Sequence, residues 1–184
     1  ENKTNPDFCR IIINNDKGYQ IDNEGFRGMG IKKYAKYNLT LKADYLIAKE
    51  GAYFSELFIQ IGLAMDAGST AFLMQSLGYH KAFELASTGK RVSALEAKEI
   101  GFVAEVISVE AWQGRVASLA KEFSERPTLA IGLMKQALQK AQNQDLADAL
   151  EAEAQAQSVA GRSADFAEGV MSFVQKRAPL FIGK

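Results

Sequence analysis

Asp66 is the residue of this chain best placed to do chemistry. It lies in the sequence Met-Asp-Ala-Gly-Ser-Thr, between an apolar run at 58–63 and a helix predicted to start at Gly68. A helix N-terminus favours the ionised carboxylate, whereas apolar neighbours such as Phe58 and Met65 favour the protonated form through desolvation. A carboxyl group between these opposing influences suits reversible proton transfer. The residues alone leave two interpretations of Asp66 open: a general acid and base, or a residue that only caps the following helix.

Glu56 is the other acidic residue near this turn. On an extended segment it would share a face with Phe58, two residues later, whereas on a helix it would not. The sequence favours an exposed Glu56 without a role in chemistry.

The residue types needed for other kinds of site are scarce. His80 is the only histidine and Cys9 the only cysteine, so no zinc site of the usual ligand types and no intrachain disulfide is expected. A Ser-His-Asp triad would have to use His80, which lies at a predicted helix start and is expected to be a partly exposed helical residue. We therefore expect no metal.

Composition narrows the class of protein. The 184 residues include 47% apolar residues, enough for one globular domain with a core. Lys and Arg together number 22, as do Asp and Glu, and this balance does not suggest a nucleic-acid partner. No run of eighteen apolar residues predicts a membrane span, and the N-terminus lacks the layout of a signal peptide. A cytoplasmic protein is therefore expected. Because the sequence lacks an initiator Met, we expect the chain to be trimmed or a fragment.

Periodicity predicts strands first and helices later. Strands are predicted at 11–13, 44–48, 52–54 and 102–108, and helices at 68–77, 80–87, 110–125, 128–142, 145–160 and 165–177. Gly78 separates the first two helices. Ser93-Ala-Leu-Glu96 is a capping box, so a further helix should begin there and stop at Gly101. The glycine run at 25–30 is expected to be a loop, and Lys32, Lys33 and Lys36 a solvated basic face.

Four stretches, taken together in order and spacing, resemble the enoyl-CoA hydratase/isomerase (crotonase) family. The stretches are Ala52-Tyr-Phe with Ile61-Gly-Leu; Asp66-Ala-Gly-Ser-Thr; Thr88-Gly-Lys-Arg-Val-Ser-Ala with Glu96-Ala and Gly101-Phe-Val; and Phe173-Val-Gln-Lys-Arg-Ala-Pro-Leu-Phe. The resemblance covers about residues 38–184.

The resemblance implies a fold and a substrate. The fold would be α/β: a crotonase-like spiral of ββα units, partial because its N-terminal half is short or missing, followed by a helical trimerisation region. The predicted division is an α/β core at 1–108, in which 1–37 match nothing in the family, and a helical subdomain at 109–184. A homotrimer or hexamer is implied. The implied substrate is an acyl-CoA, with coenzyme A as part of the substrate and no separate cofactor.

Departures from the family pattern point to one branch of it. Leu57-Phe58 stands where hydratases of the family carry Pro-Glu. Isomerases resembling those of phenylacetate degradation have Phe at this position and an Asp that matches Asp66, with Met65 in place of Pro. The resemblance thus implies an enoyl-CoA isomerase in which Asp66 moves the proton, with a hydratase less favoured.

The resemblance also implies binding residues and leaves a rival open. Phe58 and Met65 would border the substrate, and Phe173 and Lys176 match positions that contact the nucleotide part of CoA; the alternatives are a core Phe and a surface Lys. Residues 34–38 (Tyr-Ala-Lys-Tyr-Asn) lack the glycines that supply an oxyanion-binding N–H in the family. The rival function is a catalytically impaired, crotonase-like oligomeric binding module.

Overall fold

The computed structural model describes residues 11–14, 20–21, 43–66 and 68–184. The described residues divide into two compact units, one within 11–116 and the other at 117–184. The division predicted at residue 108 stays a prediction. Cys9, the glycine run at 25–30, the basic residues at 32–36 and the stretch 34–38 lie outside the described residues. No helix in the described part of the chain is long and apolar enough to cross a membrane.

The first unit is built on a four-stranded sheet. Its order is β2-β1-β3-β6, formed by β1 (Ile11–Asn14), β2 (Gln20–Ile21), β3 (Tyr45–Lys49) and β6 (Glu105–Ile107). β3 is parallel to both β1 and β6, and β2 is antiparallel to β1. The three central residues of β3 are all buried, as expected for a continuous apolar strand inside a parallel sheet.

The first unit also contains a two-stranded antiparallel sheet. It consists of β4 (Tyr53–Phe54) and β5 (Val92–Ser93). The Ser93 hydroxyl then starts α2 (Ala94–Glu99) by accepting a hydrogen bond from the Glu96 amide at 3.1 Å. The helix ends before Gly101, whose φ is 77°, as predicted. The Glu96 carboxylate binds Lys90 at 3.0 Å instead of returning the bond to Ser93.

The core of the first unit joins these elements to α1 (Ser69–Thr88). The chain leaves helical geometry at Gly78 (φ 71°, ψ 171°), which confirms the predicted break between two helices. Phe54 and Phe102 pack edge to face with ring centroids 5.1 Å apart. Other buried members of this core are Leu46, Ala48, Leu85, Val92, Ala94, Ala97 and Val103.

An ion pair fixes β6 to the helix that follows it. The Arg115 guanidinium donates to both Glu105 carboxylate oxygens at 2.7 and 2.6 Å, and the Tyr45 hydroxyl donates at 2.8 Å. The Arg115 guanidinium, and secondarily the Tyr45 hydroxyl, lowers the pKa of Glu105 to about 2.

This pKa gives a pH-dependent stability prediction. Because the folded pKa of Glu105 lies below its unfolded value, the stabilisation is present above about pH 4.5 and is lost as pH falls towards 2. Discounted for partial exposure, it should amount to about 1–2 kcal/mol. Urea unfolding of E105Q at pH 7 should show this loss, with a smaller difference from wild type at pH 3. An equal difference at both pH values would contradict the charge-based explanation.

Helices form most of the rest of the chain. They are α3 (Trp112–Ser124), within which the boundary between the units falls, α4 (Thr128–Ala141), α5 (Leu146–Ala160) and α6 (Ala164–Val174). Within the second unit, α4 and α5 pack against each other. Asp145 and Ser163 cap α5 and α6 by accepting hydrogen bonds from the amides of Asp148 and Phe166.

The last helix ends earlier than predicted. α6 stops at Val174 rather than Arg177, because Lys176 has a left-handed backbone (φ 52°) and the Arg177 amide folds back to the Ser172 carbonyl at 3.1 Å. The predicted apolar stripe of α6 is present but exposed in the single chain. Its members are Phe166, Val170, Phe173 and Val174.

Candidate active site

Asp66 lies in the turn that leads into α1. Its backbone carbonyl accepts hydrogen bonds from the Ser69 amide at 3.0 Å and the Ser69 hydroxyl at 2.7 Å, and Ser69 is fully buried. The residue at the N-cap position is Gly68, so the alternative that Asp66 is the N-cap residue is wrong. The Asp66 backbone thus holds the turn, while the residue itself is exposed.

Gly68 is required by the geometry of this turn. Its φ is 85°, and a Cβ at this position would lie 3.0 Å from the Phe72 ring. A residue with a side chain would therefore be strained and would also push against Phe72.

The comparison of two glycines tests this requirement. Gly51 has the same φ of 85°, but a Cβ there would meet no heavy atom within 4 Å. G51A should cost about 1–2 kcal/mol for backbone strain alone, and G68A should cost more because of the added contact. Urea unfolding measures both values. Equal losses would mean that Phe72 moves aside freely.

Glu56 is buried, contrary to the prediction that it is exposed. Only 8% of the residue is accessible to solvent. Burial, and secondarily the negative charge of Asp66, raises the pKa of Glu56 above its ordinary value. The carboxyl groups of Glu56 and Asp66 therefore lie near enough to interact.

The burial of Glu56 follows from contacts far away in the sequence. The chain at 57–61 (Leu57–Ile61) forms a short 3₁₀ helix that ends at Gly62 in a left-handed conformation. The Ser55 hydroxyl donates a hydrogen bond to the Gly89 carbonyl at 2.8 Å, and the side-chain amide of Gln60 donates to the same carbonyl at 3.3 Å. These bonds fasten the residues on both sides of Glu56 to the end of α1.

Glu56 lines a cavity of about 30 Å³. The walls are mainly apolar and include Phe54, Leu73, Leu77 and Phe102. Lys90 also contributes to the wall, but its ammonium group binds Glu84 at 2.6 Å and Glu96 at 3.0 Å. Glu56 is thus the acidic residue of a cavity wall that is mainly apolar.

The remaining predicted site residues fall in both units. Phe58 lies in the 3₁₀ helix and Met65 just before Asp66, and both are half-buried. Phe173 is 85% exposed near the end of α6, so the alternative that it is a core residue is wrong for the single chain. Lys176 is exposed just beyond α6. His80 is exposed on α1, and its ring meets the Tyr79 ring edge to face.

Comparison with known proteins places this turn and its surroundings in a family. The model of the enoyl-CoA hydratase/isomerase family matches residues 35–184. The chain belongs to this family. The match agrees within three residues with the extent predicted from the motifs, and the crotonase-like α/β fold is confirmed.

Individual members of the enoyl-CoA hydratase/isomerase family differ in their names. The chain is 37% identical to 1,2-epoxyphenylacetyl-CoA isomerase of Escherichia coli K12, over 84% of this chain and 59% of the relative. It is 36% identical to trans-2-decenoyl-[acyl-carrier-protein] isomerase of Streptococcus mutans, over 82% and 57%. The crystal structure of an enoyl-CoA hydratase from Bacillus anthracis matches with a TM-score of 0.76 and 32% identity, over 81% and 58%.

The matches cover most of this chain but only part of each relative. The chain spans 57–59% of the length of these two curated family members. Both isomerases and a hydratase stand among the similar proteins. Family membership therefore leaves the reaction type to be argued from the site.

Proposed function

We propose that this chain carries the proton-transfer site of an enoyl-CoA isomerase. In this reaction a double bond moves along the acyl group of a CoA thioester through an enolate, and Asp66 takes the proton from one carbon and returns a proton at another. Coenzyme A is part of the substrate, and no further cofactor takes part.

The observation that carries the proposal is that the chain has Asp66 in the turn before α1 and an apolar residue, Phe58, in the preceding 3₁₀ helix. The Ser69 amide and hydroxyl hold the Asp66 backbone at the start of α1 by donating to its carbonyl, and Asp66 itself is exposed to solvent. The apolar Phe58 occupies the place where the resemblance to family hydratases calls for a Glu. An isomerase needs a group that moves a proton, whereas a hydratase must also activate water.

The two reactions can be measured side by side. A 3-enoyl-CoA is supplied and its conversion to the 2-enoyl isomer is followed, together with hydration of a 2-enoyl-CoA. Faster isomerisation than hydration supports the proposal, and the reverse ranking contradicts it. Binding of an acyl-CoA without either reaction would contradict the proposal and favour the rival, a non-catalytic binding module.

We also propose that α6 contributes to a homotrimer or hexamer. Five apolar side chains of α6, the four of the stripe and Met171, are 50–85% exposed in the single chain, and exposed apolar surface of this kind marks an interface. Analytical ultracentrifugation should show a trimer or hexamer that V170D weakens. A monomeric wild-type chain would contradict this assignment.

A further inference from the structure

Glu56 is a buried acid without a structural role of its own. With 8% of the residue exposed, its carboxyl group makes no side-chain hydrogen bond or ion pair within the described part of the chain. Burying a polar group without a partner is costly, so such groups persist where function requires them. The chain around Glu56 is held by two hydrogen bonds to the Gly89 carbonyl, from the Ser55 hydroxyl and from the side-chain amide of Gln60.

Glu56 and Asp66 differ in their exposure to solvent, and such a difference can set one carboxyl group as an acid and the other as a base. Glu56 lines the apolar cavity, whereas Asp66 is exposed at the turn. Burial and the charge of Asp66 both raise the pKa of Glu56, so this group keeps its proton to higher pH. Lys90, the cation on the cavity wall, is paired with Glu84 and Glu96. Two neighbouring carboxyl groups in such unequal environments divide acid and base roles between them.

We propose that Glu56 is the second proton-transferring group of the site, the acid that returns a proton to the acyl group after Asp66 has removed one. The inference rests on the proposed isomerase function. Asp66 takes the proton next to the thioester carbonyl, and the electron pair of that C–H bond forms the enolate. The enolate electrons then form a bond from the γ carbon to the Glu56 proton. Transfer of a proton from Asp66 to the Glu56 carboxylate restores the starting state.

The origin of the hydrogen at the γ carbon tests this step in the unmodified chain. A 3-enoyl-CoA with deuterium at C2 is converted in ordinary water, and the product is analysed for deuterium at the γ carbon. If Glu56 supplies the proton, the first turnover leaves little deuterium there. Retention of most of the label would mean that Asp66 returns the same hydrogen, and would overturn the inference.

The variant E56Q provides the second measurement. Its turnover should fall by about 10²-fold or more, its residual product should retain more deuterium at the γ carbon, and the alkaline limb of its pH profile should disappear. E50Q, which removes an exposed carboxylate from the turn after β3, should match the wild type. Wild-type turnover in E56Q would overturn the inference while leaving the isomerase intact. Absence of turnover in the wild type would overturn the proposed function and the inference with it.

Discussion

Asp66→Asn is expected to lower the rate of double-bond migration by about 10²–10⁴-fold, the usual contribution of a general acid or base. The amide has nearly the shape of the carboxylate but cannot accept the substrate proton. The variant should fold normally, because the Ser69 amide and hydroxyl donate to the Asp66 backbone carbonyl, which the substitution leaves in place. Turnover of 3-enoyl-CoA and thermal unfolding of the same preparation measure the two quantities.

Two further measurements separate chemistry from a general effect of lost charge. Asp148→Asn removes an exposed carboxylate from the first turn of α5 and should leave turnover unchanged. In Asp66→Asn, the pKa of Glu56 should move down, since the charge of Asp66 contributes to raising it. Equal turnover in wild type and Asp66→Asn would show that Asp66 is not the base and would leave Glu56 as the candidate acid.

Signals that act over a few residues were predictable from the sequence. The start of α2 follows from the Ser93 hydroxyl, which accepts the bond from an amide three residues later. The break in α1 follows from Gly78, whose backbone leaves the helical region. Asp66 could be predicted as a candidate site residue because the turn that contains it is recognisable from six adjacent residues, Met65 to Thr70.

The burial of Glu56 and the end of α6 could not be predicted from the sequence. Glu56 is buried because residues on either side of it bond to Gly89, more than twenty-five positions later, and no local pattern encodes that approach. The end of α6 was placed three residues late because a left-handed Lys176 is unusual for a residue with a side chain. Local sequence patterns therefore do not predict that Glu56 is buried near enough to Asp66 for the charge of Asp66 to raise its pKa.

Asp165→Ala is expected to destabilise the second unit by about 2–4 kcal/mol, since it leaves two backbone amides without their charged acceptor. Asp165 is only 4% exposed, and its carboxylate accepts hydrogen bonds from the amides of Ile182 at 2.7 Å and Gly183 at 2.9 Å. Its own amide donates to the Lys184 carbonyl at 3.0 Å. Urea unfolding should show the loss, and proteases should cut the released C-terminal segment more readily.

Glu168 also binds the segment that follows α6, so substituting it gives a comparison for Asp165→Ala. Glu168 accepts hydrogen bonds from the Leu180 amide and from Arg177, whose guanidinium lowers the pKa of Glu168 to about 2. Because this pair is more exposed than Asp165, Glu168→Gln should weaken the segment less than Asp165→Ala does. The Glu168 contribution should fade as pH falls below about 4.5 towards 2, since its folded pKa is the lower one. Equal protease resistance in Asp165→Ala and wild type would show that the segment after α6 is held by its apolar contacts, and not by the buried carboxylate.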